Sequence, residues 1–323
     1  MALDKLVDST QLDSALTATA DAIRTKTGDA NSITWNLTTG FASAIADIPT
    51  GSGDVGEGDI IFYDDLDHRI VKRYTPSQFA ALTAMPNNPE HTGFISQGWN
   101  WDLSEAKTHV AKYGALNIGQ MYMPSDYNTH IIVDIVGTSD AARRFYLSTM
   151  RIVPNSSTET IRVNWGDGSY NNAYSGTVDH TYSSPGTYEI IVDTAHASSP
   201  NSYIYFWSSS KPSTTTGSGT SSFDYYAGKI KTVYLGKRAY IATYGFSMCC
   251  QLETITIPYV NPNDTVGYEH ELGRYAFDYC YALKSVTLPK QIRTMYDHCC
   301  NYAYSLSFVS IPNTVTTTEN YLF

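Results

Sequence analysis

The chain is short of charge, and of positive charge above all: Lys and Arg total 21 against 31 Asp and Glu in 323 residues, for a formal net charge of -10. A nucleic-acid groove needs a basic face, so no nucleic-acid partner is expected. No apolar run approaches the ~18 residues that cross a bilayer as a helix, and no membrane span is expected. The start, Met1-Ala-Leu-Asp-Lys, lacks the basic stretch and apolar core of a secretory signal, so export by that route is not expected. Also missing are a nucleophile with its base, a metal-ligand spacing and a phosphate-binding glycine fingerprint. The expectation is a non-enzyme with no catalytic, cofactor-binding or metal residues, although a pair of carboxylates assembled by the fold would reopen glycan hydrolysis. Cysteine is scarce as well. All five, Cys249, Cys250, Cys280, Cys299 and Cys300, lie in the last third. Their odd number, and the recurrence of Cys249 and Cys280 in one repeated slot, favour reduced, buried thiols acting as small hydrophobes. A zinc site shared with His298 is the sharper alternative, disfavoured because vicinal pairs lack the C-x2-C spacing.

What the chain does have is a repeat. Phe246-Ser-Met-Cys249-Cys-Gln-Leu252-Glu-Thr-Ile255-Thr-Ile257-Pro258 returns as Phe277-Asp-Tyr-Cys280-Tyr-Ala-Leu283-Lys-Ser-Val286-Thr-Leu288-Pro289. Ile230, Val233, Leu235 and Gly236 repeat the second half, as do Leu306, Val309, Ile311 and Pro312, where Cys300 and Ala303 fill the Phe and Cys slots. From Pro289 to Pro312 is 23 residues and from Gly236 to Pro258 is 22, whereas Pro258 to Pro289 is 31, which places an inserted loop around 261–270. Each copy reads as one short strand (Ile-Thr-Ile, Val-Thr-Leu, Val-Ser-Ile), a turn at the proline and a helical or irregular return. No single copy buries its own apolar face, so the copies are expected to stack as a solenoid. Residues 228–323 resemble the BspA-like leucine-rich repeats, whose AFxxCxxLxSVxLPxSV consensus is met best by Tyr275 to Pro289. That resemblance implies a recognition surface and no chemistry.

Fourteen of the 26 tyrosines fall between Tyr225 and Tyr321, several outside the repeat's core slots. Tyrosine combines large contact area with a polar tip and few rotamers, which suits recognition. The candidate ligand-surface residues are Tyr240, Tyr259, Tyr268, Tyr281 and Tyr304. The competing reading packs about half of these tyrosines between coils. Tyr321-Leu322-Phe323 echoes Tyr275-Ala276-Phe277, so a further repeat or a covering partner is expected beyond Phe323.

The remainder reads as mainly β and multidomain. Residues 1–48 form a helical segment: Leu12, Leu16, Ala20 and Ile23 share one face after a Ser9 cap, and Leu37, Phe41, Ala44, Ile45 and Ile48 a second until Pro49. Such a pair buries too little alone and is expected to attach to a partner or to copies of itself. Residues 49–58 are a Gly-rich linker. Residues 59–127 read as a small α+β domain. It has a hairpin across Asp64-Asp65-Leu66-Asp67-His68, a helix from Ser77 to Ala84 opened by Pro76, a second helix ending at Gly114, and a strand through Ile118 and Met121. The acidic turn offers calcium ligands but lacks EF-hand spacing, which favours a plain turn. Trp99 and Trp101 are read as core anchors in preference to a sugar-stacking pair. Residues 128–208 carry strands at His130–Val136, Arg143–Val153, Thr160–Trp165, Gly176–Tyr182, Thr187–Asp193 and Ser202–Trp207, the interval of a β-sandwich. Residues 209–227 are a second linker.

Two more resemblances bear on function. The string LVDSTQLDSALTATADAIRTKTG, with GFASAIADI, resembles the N-terminal segment of tail and minor structural proteins of phages infecting Firmicutes. Val163-Asn-Trp165-Gly166-Asp167-Gly168 followed by His180-Thr-Tyr182-Ser-Ser-Pro185-Gly186-Thr-Tyr188 resembles the PKD signature, implying an immunoglobulin-like sandwich in which Asp167 and His180 are turn and core residues. Together these imply a virion structural protein of the phage tail (tip, fibre or baseplate), assembled in the host cytoplasm. Residues 1–48 would contact other tail proteins, and the repeats a host cell-surface protein or glycan. A homo-oligomer is expected, with a trimer favoured. The alternative is a bacterial surface adhesin built from the same modules.

Overall fold

A computed structural model describes residues 56–146, 150–153, 161–173, 179–193, 203–207, 229–260 and 270–323. The helices expected over 1–48, most of the first linker, the linker at 209–227 and nearly all of the inserted loop lie outside the described residues. Residues 57–323 form one compact unit, mainly β.

The first part of this unit is a four-stranded sheet, β1 (Ile60–Asp64), β2 (Arg69–Tyr74), β3 (Phe94–Trp99) and β4 (Leu116–Pro124), in the order β2-β1-β4-β3. The expected hairpin is present, with β1 antiparallel to β2. β1 runs parallel to β4. Helix α1 (Pro76–Ala81) starts on a reciprocal cap: Thr75 Oγ1 accepts the Gln78 N–H and Gln78 Oε1 accepts the Thr75 N–H. Helix α2 (Leu103–Tyr113) stops at Gly114, whose φ of 77° suits a residue without Cβ. Phe62, Phe79, Trp99, Trp101, Ala106, Val110 and Ile118 build the core between sheet and helices, so both tryptophans are anchors.

The middle third has two sheets over one core. β5 (Thr129–Ile135), β8 (Ile161–Asn164), β9 (Tyr170–Ala173) and β11 (Gly186–Asp193) lie in one, in the order β5-β11-β8-β9, while β7 (Met150–Val153) pairs with β12 (Tyr203–Phe206) in the other. The single strand expected over Arg143–Val153 is instead two strands with different partners. β6 (Arg144–Tyr146) pairs with β10 (Asp179–Thr181), and β7 turns to β12. Ile131, Val133, Ile190 and Val192 from one sheet and Met150, Ile204 and Phe206 from the other are buried together.

Both sheets continue into the last third. β13 (Ile230–Tyr234) adds antiparallel to β5, and β15 (Thr254–Thr256) adds parallel to β13. On the other side β14 (Ala239–Ile241) adds parallel to β12. Beyond these, β17 (Ser285–Thr287) and β19 (Phe308–Ser310) form one parallel pair, and β16 (Glu271–Leu272), β18 (Thr294–Met295) and β20 (Thr317–Thr318) a parallel ladder opposite. Each copy therefore supplies two short strands where one was expected, and the longer strand starts one residue earlier than the Ile-Thr-Ile reading placed it. Among the described residues the return between them contains turns and no helix. Phe246, Cys249, Leu252 and Ile255, then Phe277, Cys280, Leu283 and Val286, are all buried. The repeated string is thus a core pattern, each large side chain contributing about 1.5–3 kcal/mol on burial. One hydrophobic core runs from Ile131 to Cys300, across the boundary expected at 228, while Ile60 to Ile118 hold a core of their own on the near side of 128.

Candidate recognition surface

Alternation along the short strands sends Ile255 and Val286 into the core and their neighbours to the opposite face. That face is a row of hydroxyls: Thr254, Thr256, Ser285, Thr287 and Ser310. All five are buried, because the first sheet lies across them. Asn100 Nδ2 donates to the Leu288 carbonyl at 2.9 Å, Trp101 Nε1 to that of Ile311 at 3.0 Å and Asn117 Nδ2 to that of Val309 at 3.1 Å. The Gly119 N–H donates to Ser310 Oγ at 3.0 Å, and Gln97 exchanges two 2.8 Å bonds with the Tyr259 backbone. Tyr63 stacks on Phe308 with centroids 4.2 Å apart. The outer face of β15, β17 and β19 is therefore an internal seam, and a macromolecule reaching the repeats meets their turns or the opposite ladder, where Glu271, Thr317 and Thr318 are exposed.

On the turns the rings are ordered. Tyr244, Tyr275, His298 and Tyr321 stack in sequence, at 4.9, 4.8 and 5.3 Å between centroids. All four have φ near +55 to +58°, as do Met248, Tyr279 and Tyr302 four residues later, at 58 to 70°. This left-handed conformation costs roughly 1–2 kcal/mol for a residue with Cβ. It is held by bonds between successive turns: the N–H groups of Tyr275, Phe277 and Tyr279 donate to the carbonyls of Asp297, Cys299 and Asn301. Two further columns stand beside this one. Tyr279 and Tyr302 lie 4.5 Å apart, Tyr281 and Tyr304 5.6 Å apart, and Tyr302 contacts Tyr304 edge-on at 6.0 Å. Tyr304 is 75% exposed and Tyr302 43%, with Tyr279 and Tyr281 partly exposed behind them.

The five candidate tyrosines accordingly separate. Tyr281 and Tyr304 meet in this quartet. Tyr259 is half-buried, with its backbone in the seam. Tyr240 is buried beside Tyr203, which corrects its reading as a surface residue: it sits within β14, where both faces are covered. Tyr268 lies outside the described residues. Sequence reasoning missed Tyr279 and Tyr302, although both stand two positions after the Phe slot, in the register that aligned Phe277 with Cys300.

Residues 212–323 match the model of the BspA type leucine rich repeat region, in six copies. The match covers about a third of the chain and begins upstream of the four copies read from sequence. No curated protein and no solved structure matches the chain.

Two polar clusters elsewhere invite a chemical reading. Asp167 Oδ2 lies 2.7 Å from His180 Nε2 and Ser169 Oγ 3.4 Å from the same nitrogen. A relay needs carboxylate and hydroxyl on opposite ring nitrogens, so this trio cannot pass a proton from Ser169 through His180 to Asp167. The His180 ring instead stacks on Trp165 at 5.1 Å, and Tyr182 donates to the Trp165 carbonyl, locking the turn. In the acidic turn, Asp64, Asp67 and His91 bring their ligand atoms within 4.8 Å of one another. Arg69 already supplies the positive charge, 2.9 Å from Asp67 and 3.7 Å from Asp64, and Tyr122 donates to Asp64 Oδ1 at 3.0 Å. None of the five cysteines is in a disulfide, and burial pushes the Cys249 and Cys280 thiols well above their usual range, as befits core filler.

Proposed function

We propose that this is a non-enzymatic structural protein of a phage tail, fixed to the particle through residues 1–48 as a homo-oligomer and touching the host surface with its repeats. The observation that carries the recognition half is the tyrosine quartet, Tyr279, Tyr281, Tyr302 and Tyr304, accessible on the turns while the outer face of β15, β17 and β19 is covered. Rings presented in ordered columns lose little entropy on binding, and many copies turn weak contacts into avidity. Parallel ladders on both sides of the repeats support reading them as a solenoid. The two-sheet middle third, with its Trp165-Gly166-Asp167-Gly168 turn and buried Tyr182, supports reading it as a PKD-like spacer. The attachment half rests on the sequence resemblance of residues 1–48.

The test is cell binding by the full chain carrying Tyr281→Ala and Tyr304→Ala. Loss of binding to host cells, about tenfold or more, with circular dichroism unchanged, is the expected result. Undiminished binding would sink the quartet as the contact surface. Locating the polypeptide in purified virions tests the other half, and finding it on bacterial envelopes instead would select the adhesin reading.

A further inference from the structure

β19 pairs with β17 on one side, and among the described residues no strand adds to its other edge. Successive carbonyls along a strand point to opposite edges. The Ser310 carbonyl faces β17, where it accepts the Leu288 N–H at 3.0 Å. Those of Val309 and Ile311 therefore point along the outer edge, and both are taken by side chains of the first part of the unit. Asn117 of β4 donates its Nδ2 to Val309 at 3.1 Å, and Trp101, just before α2, donates its Nε1 to Ile311 at 3.0 Å. Ser310 Oγ, 2.7 Å from the Asn117 carbonyl, fixes β4 at the level of this edge.

A bare strand edge is a template, because its unpaired N–H and C=O groups accept any extended chain that arrives. Other edges of this unit are protected in ordinary ways. β2 carries Arg69, Lys72 and Arg73, β3 has a bulge between Ser96 and Trp99, and β20 is only two residues long. β19 has none of these devices. It lies in Leu306-Ser-Phe-Val-Ser-Ile311, a run without charge, proline or glycine, the composition of segments that zip edge to edge. We propose that Asn117 and Trp101 are edge guards: by occupying the outward carbonyls of β19 they keep the repeats from pairing strand to strand with a second copy of this chain.

The second copy is the excluded partner on the chemistry of the edge itself. An uncharged strand does not repel its own kind, and two identical edges related by a two-fold axis pair antiparallel, each offering the groups the other lacks. The guard is independent of what the repeats bind. In an oligomer that gathers copies at high local concentration it would keep their turns separate and accessible.

Sedimentation velocity on the full chain tests this with Asn117→Ala and Trp101→Phe combined, the second keeping a ring in the core while removing its N–H. The double variant is expected to associate beyond the native oligomer, with an onset about tenfold or more lower in concentration than any such association of the native chain. Hydrogen exchange should place the newly gained protection on the outward Val309 amide. Association no stronger than that of the native chain, at unchanged circular dichroism, or new protection away from β19, overturns the guard. Should the double variant fail to fold, a fluorescent peptide copying residues 306–311 decides between the native chain and Asn117→Ala, which leaves the tryptophan core intact. Capture by the variant about threefold or more tighter than by the native chain supports the proposal, and equal capture, or none by either, overturns it.

Discussion

Gly119 has no room for a side chain, since a Cβ built there would fall against the Oγ1, Cγ2 and Cβ atoms of Thr287. Its φ is unexceptional, so the demand comes from the seam and not from the backbone. Gly119→Ala is expected to cost about 1–3 kcal/mol through overpacking, read as a lowered urea midpoint. An unchanged midpoint would mean that the seam is looser than described. Asp167 poses a different question at this scale. Burial would raise its carboxyl, but bonds from Ser169 and the approach of His180 outweigh it and hold the group down to about 2. A folded value below the unfolded 3.8 means stability that is present above about pH 4 and lost as pH falls through about 2. After screening, Asp167→Asn should forfeit about 1 kcal/mol at pH 7, and that difference from the native chain should vanish at about pH 2. Equal loss at both pH values would locate the effect in shape and not in charge.

The turns of the repeats invert an ordinary rule of substitution. Tyr275 sits at φ 57° with its ring between Tyr244 and His298. Alanine there would keep the left-handed strain and lose both stacks, whereas glycine loses the stacks and sheds the strain. Tyr275→Gly should therefore be more stable than Tyr275→Ala by about 1 kcal/mol, opposite to the order inside a helix or strand, and paired thermal melts would show it. How legible these elements were depended on period. The slots of Phe277, Cys280, Leu283 and Val286 were legible because core residues recur in a fixed string. The second strand of each copy was not, since a two-residue strand such as Glu271–Leu272 has no alternation to detect. Left-handed turns are inferred from glycine, and here tyrosine and histidine take that conformation under the constraint of the neighbouring turn. The tyrosine-rich character of the surface was visible early. Which tyrosines face outward was not, because Tyr240 and Tyr281 differ only in what packs over them.

At the scale of the whole molecule, local pattern indicated separable modules, and long-range pairing joins them. β5 and β13 share a ladder although Thr129–Ile135 and Ile230–Tyr234 are far apart in the chain, and β12 and β14 share another across residues outside the described set. Nothing in a run such as Ile131-Ile-Val133 states which distant strand will pair with it, so a break in composition near residue 208 reads as a domain boundary. Cutting there would remove the β5 partner of β13, uncover Ile230, Val233, Leu235 and Ile241, and open the end of the common core. Each such side chain is worth about 1.5–3 kcal/mol of burial, against a net stability of about 5–15 kcal/mol for a domain. A fragment of residues 228–323 alone is therefore expected to lack a cooperative thermal transition. By the same reasoning residues 57–323 should unfold in one step, with fluorescence from Trp165 in the middle third and exchange at Phe277 in the repeats reporting the same midpoint. Two resolved midpoints, or a fragment that melts cooperatively by itself, would show that the shared sheets do not couple the halves and would restore the boundary.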